Sequence, residues 1–364
     1  MFVGITNTPR DYAWGSDGAI SGLLGTEASG APEAELWLGA HAGSPSRIVD
    51  STDTLLDVVD GRLPFLLKVL AAGSPLSLQA HPTMAQAEEG FERENALGIP
   101  LDAPNRNYKD AFHKPELIYA LSDEFDALCG FRSASDTRSL LQASLPDVAA
   151  PLLARLTDDD ALRATFEWLI TRGEGVDDLV AAVSAAADDS TPELSTVKLL
   201  AGAYPGDPGI VISLLLNRVT LRRGEALFLP AGNIHAYLSG LGMELMAASD
   251  NVLRGGLTPK FIDVPELLAV LDFRPVPVPY LVPQRPGGGV EVFRPDGAEF
   301  ALLIIDGDAV RQLDGPAIAL CLDGEFMLRG EATETVVSRG AAVYIADEST
   351  LTITGAGRLV LATT

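Results

Sequence analysis

The sequence predicts a mainly β protein interrupted by a helical domain, and three changes of texture along its 364 residues carry that prediction. From Leu36 to about Arg132, short apolar runs are broken by Gly, Pro and Asp, the pattern of strands and turns. From about Ser133 to Tyr204 the apolar residues recur at helical spacing instead. After Pro205-Gly-Asp-Pro208 the β pattern returns and continues to the end of the chain.

The elements follow in order. Leu63-Pro-Phe-Leu-Leu-Lys-Val-Leu70, Ser77-Leu-Gln-Ala-His81 and Leu117 to Leu121 read as strands, with a short charged helix and loop from Pro82 to Ala96. Leu162, Phe166, Leu169 and Ile170 fall at i, i+4, i+7 and i+8, an apolar stripe on one helix face. Ser190-Thr-Pro-Glu193 has the form of a capping box, with Ser190 as N-cap, ahead of a Leu/Val-rich helix. Three or four helices fit this insertion. Ile210 to Leu221 and Ala226 to Leu229 are strand-like, with Gly224 in the turn between them. Past Arg274, a linker containing Pro275, Pro277, Pro279, Pro283 and Pro286 leads to short strands at Val290–Phe293, Phe300–Ile305, Ala317–Leu322, Ala341–Ile345 and Leu359–Ala362. Their regular spacing is that of a sandwich or barrel, here a jelly roll.

Composition excludes several classes of function. Apolar residues at 47% and aromatics at 6% belong to a globular chain. A formal net charge of -24 repels nucleic acid and anionic membranes, so neither is an expected partner. The two cysteines, Cys129 and Cys321, form no CxxC pair, which argues for a reducing compartment and against a thiolate metal site. Residues 1–14 contain no apolar run of signal-peptide length, and the cytoplasm is the expected location.

The chemistry sits around the histidines, of which there are four: His41, His81, His113 and His235. In Gln79-Ala-His81, alternation along a strand puts an amide and an imidazole on the same face. His113-Lys-Pro-Glu116 enters another strand with a carboxylate. In Gly224-Glu-Ala-Leu-Phe-Leu-Pro230-Ala-Gly232-Asn-Ile-His235, Gly and Pro shape a turn that delivers His235. A Gln, two His and one Glu make an N/O ligand set suited to Zn²⁺ or another borderline divalent ion, with a position left for substrate.

The Gly224 to His235 spacing resembles the second conserved motif of cupins, with Ser239 where that motif often carries Asn. Longer strings resemble the signature segments of type I mannose-6-phosphate isomerases: Ser77-Leu-Gln-Ala-His-Pro82, Asn107-Tyr-Lys-Asp-Ala-Phe-His-Lys-Pro-Glu-Leu117 and Ala247-Ala-Ser-Asp-Asn-Val-Leu-Arg-Gly-Gly-Leu-Thr-Pro-Lys260. Tyr12-Ala-Trp-Gly15 and Glu35-Leu-Trp-Leu-Gly-Ala-His41 are similar to that family too, and Thr83 departs from its usual acidic or amide residue. The resemblance implies two cupin (jelly-roll) β-barrel domains with an inserted α-helical domain. Residues 1–132 and 205–264 would form the catalytic cupin, 133–204 the insertion, and 265–364 a C-terminal cupin without metal ligands. It implies one zinc ion per chain held by Gln79, His81, Glu116 and His235. It implies a catalytic arginine at Arg254, substrate-side polar groups at Lys114, Glu244, Asp250 and Lys260, and phosphate contacts at Ser77, Lys68 and Lys114. Lys68 reads equally well as a strand residue snorkelling to solvent, and Glu244 as the buried partner of a cation. His41 and Trp14 read as structural.

The reaction so implied interconverts mannose 6-phosphate and fructose 6-phosphate by moving a proton between adjacent carbons through a cis-enediol. Arg254 keeps its proton at working pH and serves to stabilise oxyanion charge. Lys114, Glu244, His113 and Asp250 are the candidates for the base. Two other readings are a non-catalytic sugar-binding cupin and an iron-dependent oxygenase. Arg254, Lys260 and the Asn107–Glu116 string weigh against the first, and Gln79 is an odd ligand for redox iron. The expected partner is a small sugar phosphate, and the expected assembly is a monomer.

Overall fold

Residues 1–364 are described by a computed structural model whose strands fall into two antiparallel sheets, one of nine strands and one of ten. The nine-stranded sheet is built on one long strand, His235–Ala247. Its first half pairs with Gln79 and with Asp126–Cys129, and its second half with Phe65–Ala72 and Glu116–Ala120. A register shift between Tyr237 and Ser239, followed by Gly240 at φ +121°, lets one strand serve both halves of the jelly roll. Every residue of Phe65–Ala72 is buried. Its inward face lines the barrel, and its outward face packs on the second sheet. That double burial explains its nearly unbroken apolar run.

The ten-stranded sheet carries the strands expected after Arg274, and adds Gln284–Gly287, Ala309–Gln312 and Glu334–Ser338. It also takes two strands from the other end of the chain. Phe2–Thr6 pairs antiparallel with Ala342–Ile345, and Arg47–Ile48 pairs with Phe2–Thr6. The expected boundary at residues 1–132 therefore differs from the structure, since the chain begins in the C-terminal sheet. The proline-rich stretch lies on the first sheet at Tyr280, which bridges Leu227, and at Leu281, which donates to the Ala226 carbonyl, while Pro286 lies in the ten-stranded sheet.

Between the two sheets lies a core of 29 buried residues, including Phe65, Leu67 and Leu245 from one and Phe293, Phe300 and Leu302 from the other. On the far side of the first sheet, helices Ala134–Ser144, Ala150–Arg155, Leu162–Ile170, Val176–Ala186 and Pro192–Ala203 pack around 38 buried residues. There are five helices where three or four were expected. Leu162, Phe166, Leu169 and Ile170 all face that core. The N-cap of the last helix is Thr191 rather than Ser190: its hydroxyl accepts from the Leu194 N–H, and Pro192 takes the first helical position, where no N–H is needed.

Ile210–Leu215 also departs from the expected strand. It forms a short helix, Gly209–Ile212, and a 3₁₀ turn, Ser213–Leu215, before the strand Leu216–Arg222 begins. Asp207 accepts from the Gly209 N–H, and the Ser213 hydroxyl donates to the Ile210 carbonyl. These local bonds override the β propensity of the Ile/Val/Leu run. No helix in the chain is long and apolar enough to cross a membrane.

Candidate metal centre

Period-2 alternation builds the site. Along Phe65–Ala72, Lys68, Leu70 and Ala72 share the inward face; along Glu116–Ala120 it is Glu116, Ile118 and Ala120; on the long strand, His235 and Tyr237. Leu70, Ala72, Ile118, Ala120 and Tyr237 close the apolar floor of the barrel. Lys68, Glu116 and His235 open its polar end. Each strand thus changes chemistry within a single face.

His81, Glu116 and His235 are all buried, and their ligand atoms lie within 4.8 Å of one another. The Nδ1 of His81 lies 2.7 Å from the Asn251 carbonyl, and that of His235 lies 3.0 Å from the Asn233 carbonyl. A carbonyl only accepts, so both Nδ1 atoms carry the proton and both Nε2 lone pairs point inward. Each Nε2 lies 3.2 Å from a Glu116 oxygen, yet neither has a proton to give. The two Nε2 atoms and Glu116 Oε2 are left without hydrogen bonds. Buried lone pairs facing one another in this way are unfavourable unless a cation lies between them. Burial, outweighing the pull of Glu116, pushes His81 down to about 4, which keeps the ring neutral as a ligand must be. Glu116 is held well below the usual carboxylate range: burial opposes this, but Lys114 prevails. The donor set fits a divalent metal ion. Gln79 pairs across the sheet with both His235 and Arg254, which puts it beside the three ligands.

A cavity of about 550 Å³ opens over this centre. Gln79, Glu116, Ser77, Lys68, Lys114, Glu244, Arg254 and Lys260 all line it, so most of the residues singled out in sequence converge on one place. Two of the expected base candidates do not. His113 lies outside the cavity, half-buried beside Glu299 and Arg62. Asp250 pairs with His41 Nε2 at 3.2 Å instead of lining the cavity. Trp14 does line it.

Lys68 does not snorkel. It is buried, 2.9 Å from Glu244 and 3.2 Å from Glu35. Despite burial, Glu244 and Glu35 raise its pKa, while burial pushes Glu244 itself up against the pull of Lys68. Glu244 is thus both the buried partner of a cation and a wall of the cavity. Lys114 lies 2.8 Å from Glu116. Lys68 and Lys114, both expected to hold phosphate, are already committed to carboxylates. The other two cations of the cavity, Arg254 and Lys260, form no ion pair. Tyr237 escaped sequence reasoning. Its hydroxyl is buried without a hydrogen bond, and burial together with Glu244 pushes the phenol well above its usual range, so it is a donor in need of an acceptor. Its place two residues after His235, on the same inward face, is the signal that could have found it.

The comparison with known proteins agrees with this geometry. A model of the type I phosphomannose isomerase catalytic domain matches residues 2–134. Mannose-6-phosphate isomerase from Salmonella typhimurium is 41% identical over 384 residues, covering 98% of this chain and 97% of that protein. The chain belongs to the type I phosphomannose isomerase family. The human mannose-6-phosphate isomerase is 34% identical over 401 residues, covering 93% of this chain and 92% of that one. Among solved structures, a zinc-bound mannose 6-phosphate isomerase superposes with a TM-score of 0.91 at 39% identity, over 100% of this chain and 99% of the other. The two chains therefore share one fold over their whole length.

Proposed function

We propose that this chain is a zinc-dependent aldose–ketose isomerase that interconverts D-mannose 6-phosphate and D-fructose 6-phosphate. The observation that carries the reading is Glu116 Oε2 facing two imidazole lone pairs, none of the three atoms hydrogen-bonded, at the end of a cavity lined by Lys and Arg. His81, Glu116 and His235, with the Gln79 amide as fourth, are the ligands. Bound zinc supplies Lewis-acid polarisation of the substrate oxygens.

The chain's own groups do the rest. Arg254, half-buried and free of carboxylates, offers a planar fork to the oxyanion that develops as the C–H proton leaves. Glu244 is the proton carrier best supported by its surroundings, because a buried carboxyl with a raised pKa is a stronger base than an exposed one. Lys68 at 2.9 Å orients it. Ser77 and the exposed Lys260 suit the phosphate, which lies away from the reacting carbons and orients the sugar. The intermediate is a cis-enediol, the partner a sugar phosphate and the assembly a monomer in the cytoplasm.

A coupled assay for fructose 6-phosphate tests the activity, and its absence in zinc-loaded protein would end the reading. The proton-transfer route is tested separately in deuterated water. A proton held on Glu244 can exchange before it returns, so label should appear on carbon 1 of fructose 6-phosphate. A primary isotope effect from carbon-2 deuterium with complete retention of that label, also in Glu244→Gln, would point to hydride transfer instead.

A further inference from the structure

The cavity wall contains a strained turn, and its restraint comes from the bend that follows the helical insertion. Leu257 is completely buried, lines the cavity and has φ +55°, a left-handed conformation that a leucine rarely adopts. Gly256 before it has φ +123°. Such a backbone persists only where its surroundings over-determine it. Here the restraint is Asp207. Its Oδ1 accepts from the Leu257 N–H at 2.9 Å and the Gly209 N–H at 2.7 Å, and its Oδ2 accepts from the Thr258 N–H at 3.2 Å. Asp207 pairs with no cation, so its charge is spent entirely on three backbone donors. The approach is close: a Cβ on Gly256 would lie 3.1 Å from the Gly209 Cα and 3.3 Å from Asp207 Oδ1.

What the turn carries makes the restraint functional. Arg254 precedes it by two residues, Thr258 closes it, and Pro259 and Lys260 follow it; all four line the cavity. The same bend reaches the opposite lip, where the Tyr204 hydroxyl donates to the Pro75 carbonyl at 2.6 Å, two residues before Ser77.

We infer that Asp207 is a positioning residue: by holding the Gly256–Thr258 turn, it sets the placement of Lys260 and the affinity for the phosphate end of the substrate. This rests on the isomerase reading above. The test compares zinc-loaded wild type with Asp207→Asn and Asp207→Ala. Asparagine keeps one acceptor oxygen and turns an N–H toward Thr258, so it loses one bond of the three; alanine loses all of them. KM for mannose 6-phosphate should rise about threefold in Asp207→Asn and about tenfold or more in Asp207→Ala, with kcat within about threefold of wild type. Competitive inhibition by inorganic phosphate should weaken in parallel, a change that a merely structural role would not produce. Zinc content should be unchanged.

KM and phosphate inhibition within about twofold of wild type in Asp207→Asn, with either an unchanged or a lowered unfolding midpoint, would overturn the proposal. So would a fall confined to kcat. Should Asp207→Ala fail to fold, Asp207→Asn alone decides. A wild type that makes no fructose 6-phosphate removes the isomerase premise, whereas failure of the Asp207 proposal appears only in the variants.

Discussion

The strand His235–Ala247 of the first barrel and the strand Thr350–Thr363 of the second do the same structural work. They are 13 and 14 residues long, and each pairs with three or more neighbours in turn. Each turns its corner at a glycine of φ +121°, Gly240 in one and Gly357 in the other. The inward faces differ. In the second barrel 17 buried residues, among them Cys321, Phe326, Ile353 and Leu361, fill the interior with apolar atoms. In the first, only one end of the interior is filled this way, by 12 buried residues, and the other end holds His81, Glu116, His235, Lys68 and Glu244. One frame therefore serves two purposes. A barrel packed throughout is stable on its own account, whereas a barrel with buried lone pairs and the crowded carboxylates of Glu35, Glu116 and Glu244 gives up stability at its polar end.

The largest expected effect separates the barrels by their need for metal. Prolonged chelation should abolish turnover and lower the unfolding midpoint, and added Zn²⁺ should restore both. Metal present at about 1,000 times its Kd contributes about 4 kcal/mol to the folded state. His235→Ala should lose metal occupancy for the same reason. Calorimetry with and without chelator, beside the fructose 6-phosphate assay, reads this directly. Full activity in metal-free protein would mean that the lone pairs at Glu116 face one another for some other reason.

Next in size is Arg254→Lys. Lysine keeps the charge but not the planar fork, so the rate should fall about 100-fold, or about 2.7 kcal/mol of barrier, with zinc content unchanged. Steady-state kinetics within about twofold of wild type, less than ~0.5 kcal/mol, would remove Arg254 from the chemistry.

Tyr237→Phe should have a smaller effect on rate and an opposite effect on stability. Loss of a donor to the substrate should lower kcat about tenfold. Loss of a buried hydroxyl that has no partner should leave the protein as stable or about 1 kcal/mol more so. Urea unfolding of the metal-free variant would show whether the polar end does work against stability. A lower midpoint would mean that the hydroxyl is satisfied within the protein.

The two barrels were unequally legible in the sequence. The ligands could be read because each lies in a local pattern: alternation in Gln79-Ala-His81, a Gly-Pro-Gly turn before His235, a carboxylate at a strand entrance. The apolar strands of the second barrel could be read from their spacing. The pairing of Phe2–Thr6 with Ala342–Ile345 could not, because no local property of a five-residue strand names a partner at the far end of the chain. The ion pairs of Lys68 were hidden for a related reason, since Glu35 and Glu244 reach it only across neighbouring strands. His113 shares a motif with Glu116 but not its face, and a residue three positions from a ligand on an extended segment points away. Asp207 lay in a Pro-Gly-Asp-Pro string read only as the point after which the β pattern returns.

The smallest expected effect on activity tests the second barrel. Phe326 is completely buried in its apolar interior, on the strand Ala317–Arg329, and none of its cluster lines the catalytic cavity. Phe326→Ala leaves a cavity where no polar group can take advantage of it, so it should cost about 3–5 kcal/mol of stability. The first barrel meets the second through the separate 29-residue core, which includes Leu302, Ile318 and Leu320 on the opposite faces of the same strands. A void on the inner face therefore has to pass through packed strands before it can move Lys68 or Glu116. Assayed well below its lowered midpoint, Phe326→Ala should keep kcat/KM within about twofold of wild type. A tenfold loss in protein with a native circular dichroism spectrum and full zinc content would show that the second barrel sets the geometry of the first. The division between a barrel that packs and a barrel that reacts would then fail.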